Sequence, residues 1–140
     1  MIVVDAADMI VGRLATYIAK QALLGNEVRV INSEKAIMAG KKENTYKDYL
    51  ERMHKGTHAK GPFIQRRPER ILRRVVRGML PFATTRGREA YKRVLCYVGV
   101  PEEFKNEKPV KLESKTKAEL PNLRYTTLKE ISKKIGARVE

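Results

Sequence analysis

Cysteine is nearly missing from this chain. One thiol, Cys96, occurs in 140 residues, so no disulfide forms within a single chain. That suits a reducing compartment. Tryptophan is absent and aromatic residues are only 6% of the total. No apolar run approaches the roughly 20 residues that a membrane helix needs; residues 94–100 form one of the short ones. The first residues carry Asp5 and Asp8 and no basic leader, so they do not read as a signal peptide. A soluble, cytoplasmic protein is expected.

The motifs of common chemistry are also missing. Gly12 follows an apolar run and opens a helical pattern, which invites a phosphate-binding reading, but there is no G-x-G-x-x-G and no Gly-Lys-Ser/Thr at that turn. A lone glycine there more often serves the turn itself. Asp5 and Asp8 suggest Mg²⁺, yet two isolated carboxylates do not make a metal site, and Asp is common in turns and caps. His54 and His58 stand four apart, a spacing that suits zinc on a helix. Gly56 lies between them in a basic loop, and no HExxH or cysteine pair supports them. Exposed or RNA-contacting histidines are expected instead. Cys96 sits in an apolar run and reads as an inert core thiol. No Ser-His-Asp set is arguable. The expectation is no catalytic residue, no metal, no cofactor and no small-molecule substrate.

Acidic residues are scarce in one place only. Residues 1–51 hold seven basic and seven acidic side chains, and residues 94–140 hold ten and seven. Residues 52–93 hold thirteen basic ones against Glu69 and Glu89 alone. Most of the net charge of +14 therefore lies in the middle third. A solubilising surface mixes signs throughout, whereas a concentrated block reads as an interaction surface for a polyanion.

What is present is an alternation of strand and helix patterns. Residues 2–6 are a β-branched run and are predicted as a buried strand. Leu14, Ala15, Ile18, Ala19, Ala22 and Leu23 form one helical stripe, which Gly25 and Asn26 stop. Val28, Val30 and Ile31 form a second strand, so the opening is a βαβ unit with parallel strands. Residues 36–39 fit either a short strand or a helical turn. Tyr46, Tyr49, Leu50 and Met53 mark one face of a further helix. Residues 54–67 form a loop without acid. Residues 88–93 suggest another helix and residues 94–98 a late buried strand. From Pro101 a Lys- and Glu-rich tail is expected to run over the surface. It ends in a short helix with a capping-box pattern at residues 127–130 and an apolar edge of Leu128, Ile131 and Ile135. One domain, residues 1–140, of α/β class is predicted: a small, mostly parallel sheet with helices packed on it.

The strongest signal is the helix predicted over 67–80. Pro68 and Glu69 suit its first turn, and Gly78 and Pro81 close it. Ile71, Leu72, Val75, Val76 and Met79 line an apolar face. Arg70, Arg73, Arg74 and Arg77 recur at i, i+3, i+4 and i+7 on the other, and Arg73 and Arg74 are expected to stand exposed in the free protein. Like charges at that spacing repel by a few tenths of a kcal/mol; a nucleic-acid backbone offsets that repulsion. Arginine is also the better phosphate ligand, because its planar fork binds bidentately and stacks on bases. Arg52, Lys55, Lys60, Arg66 and Arg67 extend the surface before the helix, and Arg86, Arg88, Lys92 and Arg93 after it. Phe63, inside the basic loop, either stacks on a base or packs back on the core. A membrane partner is the poorer reading, since the basic helix has no Trp or Phe on its apolar edge.

The stretch Val76-Arg77-Gly78-Met79-Leu80-Pro81, then Gly87, then Val94-Leu95-Cys96-Tyr97, resembles the signature of the large-subunit ribosomal protein thirteen family. Asp5-Ala6 with Gly12-Arg13-Leu14-Ala15, and Val30-Ile31-Asn32-Ser33-Glu34-Lys35 with Gly40, match the same family in the same order. The likeness runs from residue 3 to about residue 100. Bacterial members carry a longer connection where this chain has only Gly25-Asn26-Glu27, so the archaeal or eukaryotic type is implied. The resemblance implies a three-layer α/β/α fold with a four-stranded parallel sheet. It also implies binding to large-subunit ribosomal RNA, neighbouring ribosomal proteins as partners, a part in subunit assembly, and no enzymatic activity. The alternatives are an α/β enzyme acting on nucleotides or nucleic acid, and a free-standing DNA-binding protein.

Overall fold

The computed structural model describes residues 1–113 and 116–139. The predicted extent of 1–140 thus includes Ser114, Lys115 and Glu140, which lie outside the described residues. In chain order the elements are β1 (Ile2–Asp5), α1 (Val11–Leu23), β2 (Val28–Ile31), β3 (Ile37–Ala39), α2 (Lys42–His54), α3 (Pro68–Met79), α4 (Thr85–Lys92), β4 (Val94–Cys96), β5 (Tyr125–Thr127) and α5 (Leu128–Lys134). Single turns of 3-10 helix occur at Ser33–Lys35, Glu102–Phe104 and Lys117–Glu119.

The class is α/β, as expected. The βαβ opening forms, with β2 in the middle of a parallel sheet of order β1-β2-β4. Alternation along a strand sends successive side chains to opposite faces. Val4, Val28, Val30 and Val94 thus share one face, and all are fully buried. Leu14, Ala15, Ile18, Ala19 and Ala22 of α1, with Ile71, Leu72 and Val76 of α3 and Ala90 of α4, pack into the same core. Val3 and Ile31 point the other way, where Phe104 and Tyr97 cover them. A 3-10 turn and irregular chain therefore cover that face.

The sheet differs from the expected four parallel strands. Three strands are parallel, and β3 instead pairs antiparallel with β5 in a separate two-stranded sheet. The cause lies after β1. A turn follows Ala6, with Asp8 in the left-handed region at φ 61°, so the chain meets β3 through one parallel bridge, Ile10 to Ile37. A broken ladder leaves β3 free to take β5 as its partner.

The described residues between Glu102 and Arg124 are mostly exposed, as expected of a surface-running segment, with Phe104 the buried exception, but the end of the chain packs inward. It supplies β5, which sequence reading missed, and α5, whose Leu128, Ile131 and Ile135 are buried in the main core. The capping box at Thr127 and Glu130 forms in full. Ser132 Oγ donates to the Arg66 carbonyl, fastening α5 to the lead-in of α3. Ion pairs from Arg13 to Glu119 and from Lys117 to Asp8 tie the preceding turn down.

Candidate nucleic-acid interface

Helix α3 buries its apolar side in the core. Ile71, Leu72 and Val76 are buried, Val75 is half-buried, and Met79 is 41% exposed. The apolar face is thus narrower than its sequence stripe suggests: Met79 borders α1, where its sulfur accepts from the Thr16 hydroxyl at 3.5 Å, and stays partly open to solvent. On the opposite side Arg70 and Arg74 are exposed, whereas Arg73 and Arg77 are half-buried. This corrects the expectation that Arg73 stands exposed beside Arg74. The physical cause is α4 and the corner leading into it. The Arg73 guanidinium lies 4.5 Å from the centre of the Tyr91 ring, and that of Arg77 lies 3.9 Å from the centre of Phe82. Phe82 and Tyr91 meet edge to face at 5.4 Å. Cation–π contacts of this kind hold the two guanidiniums in place. The Nε atom of Arg73 is buried and has no hydrogen-bond partner among the described residues.

The corner between α3 and α4 follows from the residues that carry the family resemblance. Thr84 caps α4 by accepting from the Gly87 amide at 3.2 Å, and its hydroxyl donates to the Pro81 carbonyl at 2.8 Å. Gly87 is needed because of that approach: a Cβ there would lie 2.0 Å from the Pro81 oxygen. The turn brings Phe82 and Tyr91 under the arginines. No sequence periodicity reveals that pairing, since it joins two elements.

The result is a cleft of about 310 Å³ lined by Arg70, Arg73, Arg74, Arg77, Gln65 and Tyr91. Four of the predicted contacts thus converge, and among the described residues no acidic side chain lines the cleft. A second recess, about 370 Å³, runs between α2 and α3. Tyr49, Ile64, Ile71 and Val75 form its apolar lining, and Arg52 and Arg74 add charge. Phe63 borders it and is 72% exposed, so the ring does not fold back on the core.

The remaining predicted contacts are less uniform. Lys55, Lys60, Arg66, Arg86 and Arg88 are exposed. Arg67 lies 3.9 Å from Glu69, and Lys92 pairs with Glu89 at 3.0 Å. That pairing holds the Glu89 carboxyl below its usual range. Arg93 is turned inward: its guanidinium donates to the Ala22 carbonyl at the end of α1 at 3.2 Å, which satisfies a helix C-terminus.

The residues considered for chemistry have structural partners. Asp5 accepts from the Ala7 amide at 3.0 Å and from Asn32 at 2.9 Å. Asp8 pairs with Lys117 at 3.1 Å, which raises the lysine pKa. His54 ends α2 and His58 lies in the following loop, both exposed. No metal-binding cluster is found among the described residues. Burial pushes the Cys96 thiol up to about 12, so it is a poor nucleophile at neutral pH. No helix among the described residues is long and apolar enough to cross a membrane.

Comparison with known proteins adds two findings. The family model described as Ribosomal protein L13 matches residues 1–103. A protein of Methanopyrus kandleri named large ribosomal subunit protein uL13 is 46% identical over 136 residues, covering 96% of this chain and 86% of that protein. Proteins of the same name from Archaeoglobus fulgidus and Methanococcoides burtonii are similar. The first is 42% identical over 137 residues, covering 97% of this chain and 88% of its own length. The second is 40% identical over 138 residues, covering 99% of each chain.

Proposed function

The chain belongs to the ribosomal protein L13 family, and on that premise we propose that the arginine cleft of α3 and α4, with the basic loop before it, is its contact surface for large-subunit ribosomal RNA. The protein is a structural constituent of the large ribosomal subunit, without enzymatic activity, and its place is the cytoplasm where that subunit works. Its relatives here are archaeal, and the short α1–β2 connection fits that type.

One observation carries the assignment. Four guanidiniums from one helix converge on a cleft that no carboxylate of the described residues lines. Two of them are held by aromatic rings rather than by ion pairs, so they remain free to bind anions. Packing positive charge so closely is unfavourable in the isolated protein and is offset when phosphates enter. Arg52, Lys55, Lys60, Arg66, Arg67, Arg86 and Arg88 extend this surface as supporting contacts. Lys92 is engaged by Glu89 and Arg93 by the end of α1, so both contribute mainly to the long-range field.

The test is binding to ribosomal RNA as salt is varied, beside co-sedimentation with large subunits after a high-salt wash. Contact with roughly 6–10 phosphates makes affinity fall about 10³–10⁵-fold between 50 and 200 mM salt, and the protein stays with the washed subunit. A flat salt response, or release in the wash, would sink the assignment.

A further inference from the structure

Phe63 is the one aromatic side chain of nine that stands exposed. Its loop is closed rather than loose: the Gly61 amide donates to the Thr57 carbonyl at 2.8 Å. Gly56 and Gly61 both adopt positive φ, 75° and 92°. Gly61 also lies directly against the ring, since a Cβ there would sit 3.3 Å from two ring carbons. The ring is therefore presented on a built support. Beneath it lies the apolar α2–α3 recess.

Gln65 and Arg74 line both this recess and the arginine cleft. The two are therefore adjacent parts of one trench, apolar and aromatic at one end and cationic at the other. Among the described residues, neither part is lined by an acidic side chain. A nucleotide has the same asymmetry, a flat apolar base joined to an anionic phosphate. A continuous duplex does not fit, because its bases are stacked and their faces hidden. Proteins reach base faces where RNA is unpaired, in loops, bulges and ends.

We propose that this trench takes one unpaired RNA nucleotide, its base laid against Phe63 over the α2–α3 recess and its phosphate in the arginine cleft. This rests on the RNA-binding reading above and adds the form of RNA recognised. Gln65, with an amide donor and acceptor at the junction, is placed to read an edge of the base. Arg74, which lines both parts, lies between base and phosphate, and Arg52 lines the base end.

The experiment uses the full chain and a short RNA carrying 2-aminopurine, offered single-stranded and as the perfect duplex, at one salt concentration and across a salt series. The parent should bind the single strand more tightly and quench its fluorescence. Phe63→Leu should abolish the quenching and weaken single-strand affinity about tenfold or more, leaving duplex affinity and the salt slope unchanged. Phe63→Tyr should keep both. An exposed side chain makes unfolding an unsuitable explanation, and matched melting curves check this. If Phe63→Leu keeps parental quenching and affinity, or the parent holds duplex as tightly as single strand, the nucleotide site is wrong. The recess would then belong to an apolar side chain of a protein neighbour. If neither RNA binds with a salt-dependent affinity, the RNA-binding reading falls as well.

Discussion

Arg73 and Arg74 are neighbours in sequence and carry the same charge, yet the fold gives them different work. Arg74 is exposed and sits where the two parts of the trench meet. Arg73 is half-buried on Tyr91. Arg74→Glu should therefore leave stability within about 0.5 kcal/mol and lower RNA affinity sharply. Arg73→Glu should lower RNA affinity too, but it also removes a cation–π contact worth about 0.5–2 kcal/mol and sets a carboxylate on the ring face. Its melting temperature should fall by several degrees. Thermal melting of the free protein, beside RNA affinity at fixed salt, separates the two. Equal melting of both variants would show that Tyr91 does not hold Arg73. The arginine repeat was legible in the sequence; this division of roles was not, because Phe82 and Tyr91 reach the helix only through the α3–α4 corner.

At the scale of elements, Gly78 and Gly87 make a useful contrast. Both lie in helices and in the stretch that carries the family resemblance. A Cβ on Gly78 meets nothing within 4 Å, so Gly78→Ala in the free protein should gain about 0.5–1 kcal/mol of helix stability. A Cβ on Gly87 would lie 2.0 Å from the Pro81 oxygen. Gly87→Ala should force the corner open and cost about 1–3 kcal/mol, with looser placement of Arg73 and Arg77 and weaker RNA binding. Denaturant titration of the two variants checks the opposite signs; a neutral Gly87→Ala would refute the close approach. Helix propensity alone predicts a gain at both positions. Only the neighbour of Gly87 reverses it.

At the scale of the whole molecule, the core does not end where the family match ends. That match stops at residue 103, yet Leu128, Ile131 and Ile135 pack with Ile71, Leu72 and Ala36 in one cluster. Burial of each such side chain contributes about 1.5–3 kcal/mol, against a typical total of about 5–15 kcal/mol. A chain ended before Tyr125 also strips β3 of its partner strand. It should lose cooperative unfolding and expose apolar surface, read by calorimetry and by dye binding. A truncated chain that melts like the parent would show that α5 is an accessory. The measurement also asks whether the arginine face depends on α5, since Ser132 binds the backbone of Arg66 at the foot of α3.

The sequence by itself determined whatever is periodic or local. The βαβ opening, the stripe of α1, the amphipathic α3, the capping box of α5 and the placement of positive charge between residues 52 and 93 are written in neighbouring residues, and physics acts on them there. Only the tertiary structure decided what depends on residues far apart. β3 left the parallel sheet because the turn at Asp8 broke its ladder and β5, more than eighty residues on, offered a partner. The tail entered the core because Ile131 and Leu128 found space beside α3. Arg93 became a helix cap, Arg73 and Arg77 became supported guanidiniums, and Phe63 was left exposed above a recess. Charge count and residue type are properties of the chain. The direction a guanidinium faces, and the group that stabilises it there, are set by the elements that pack around it.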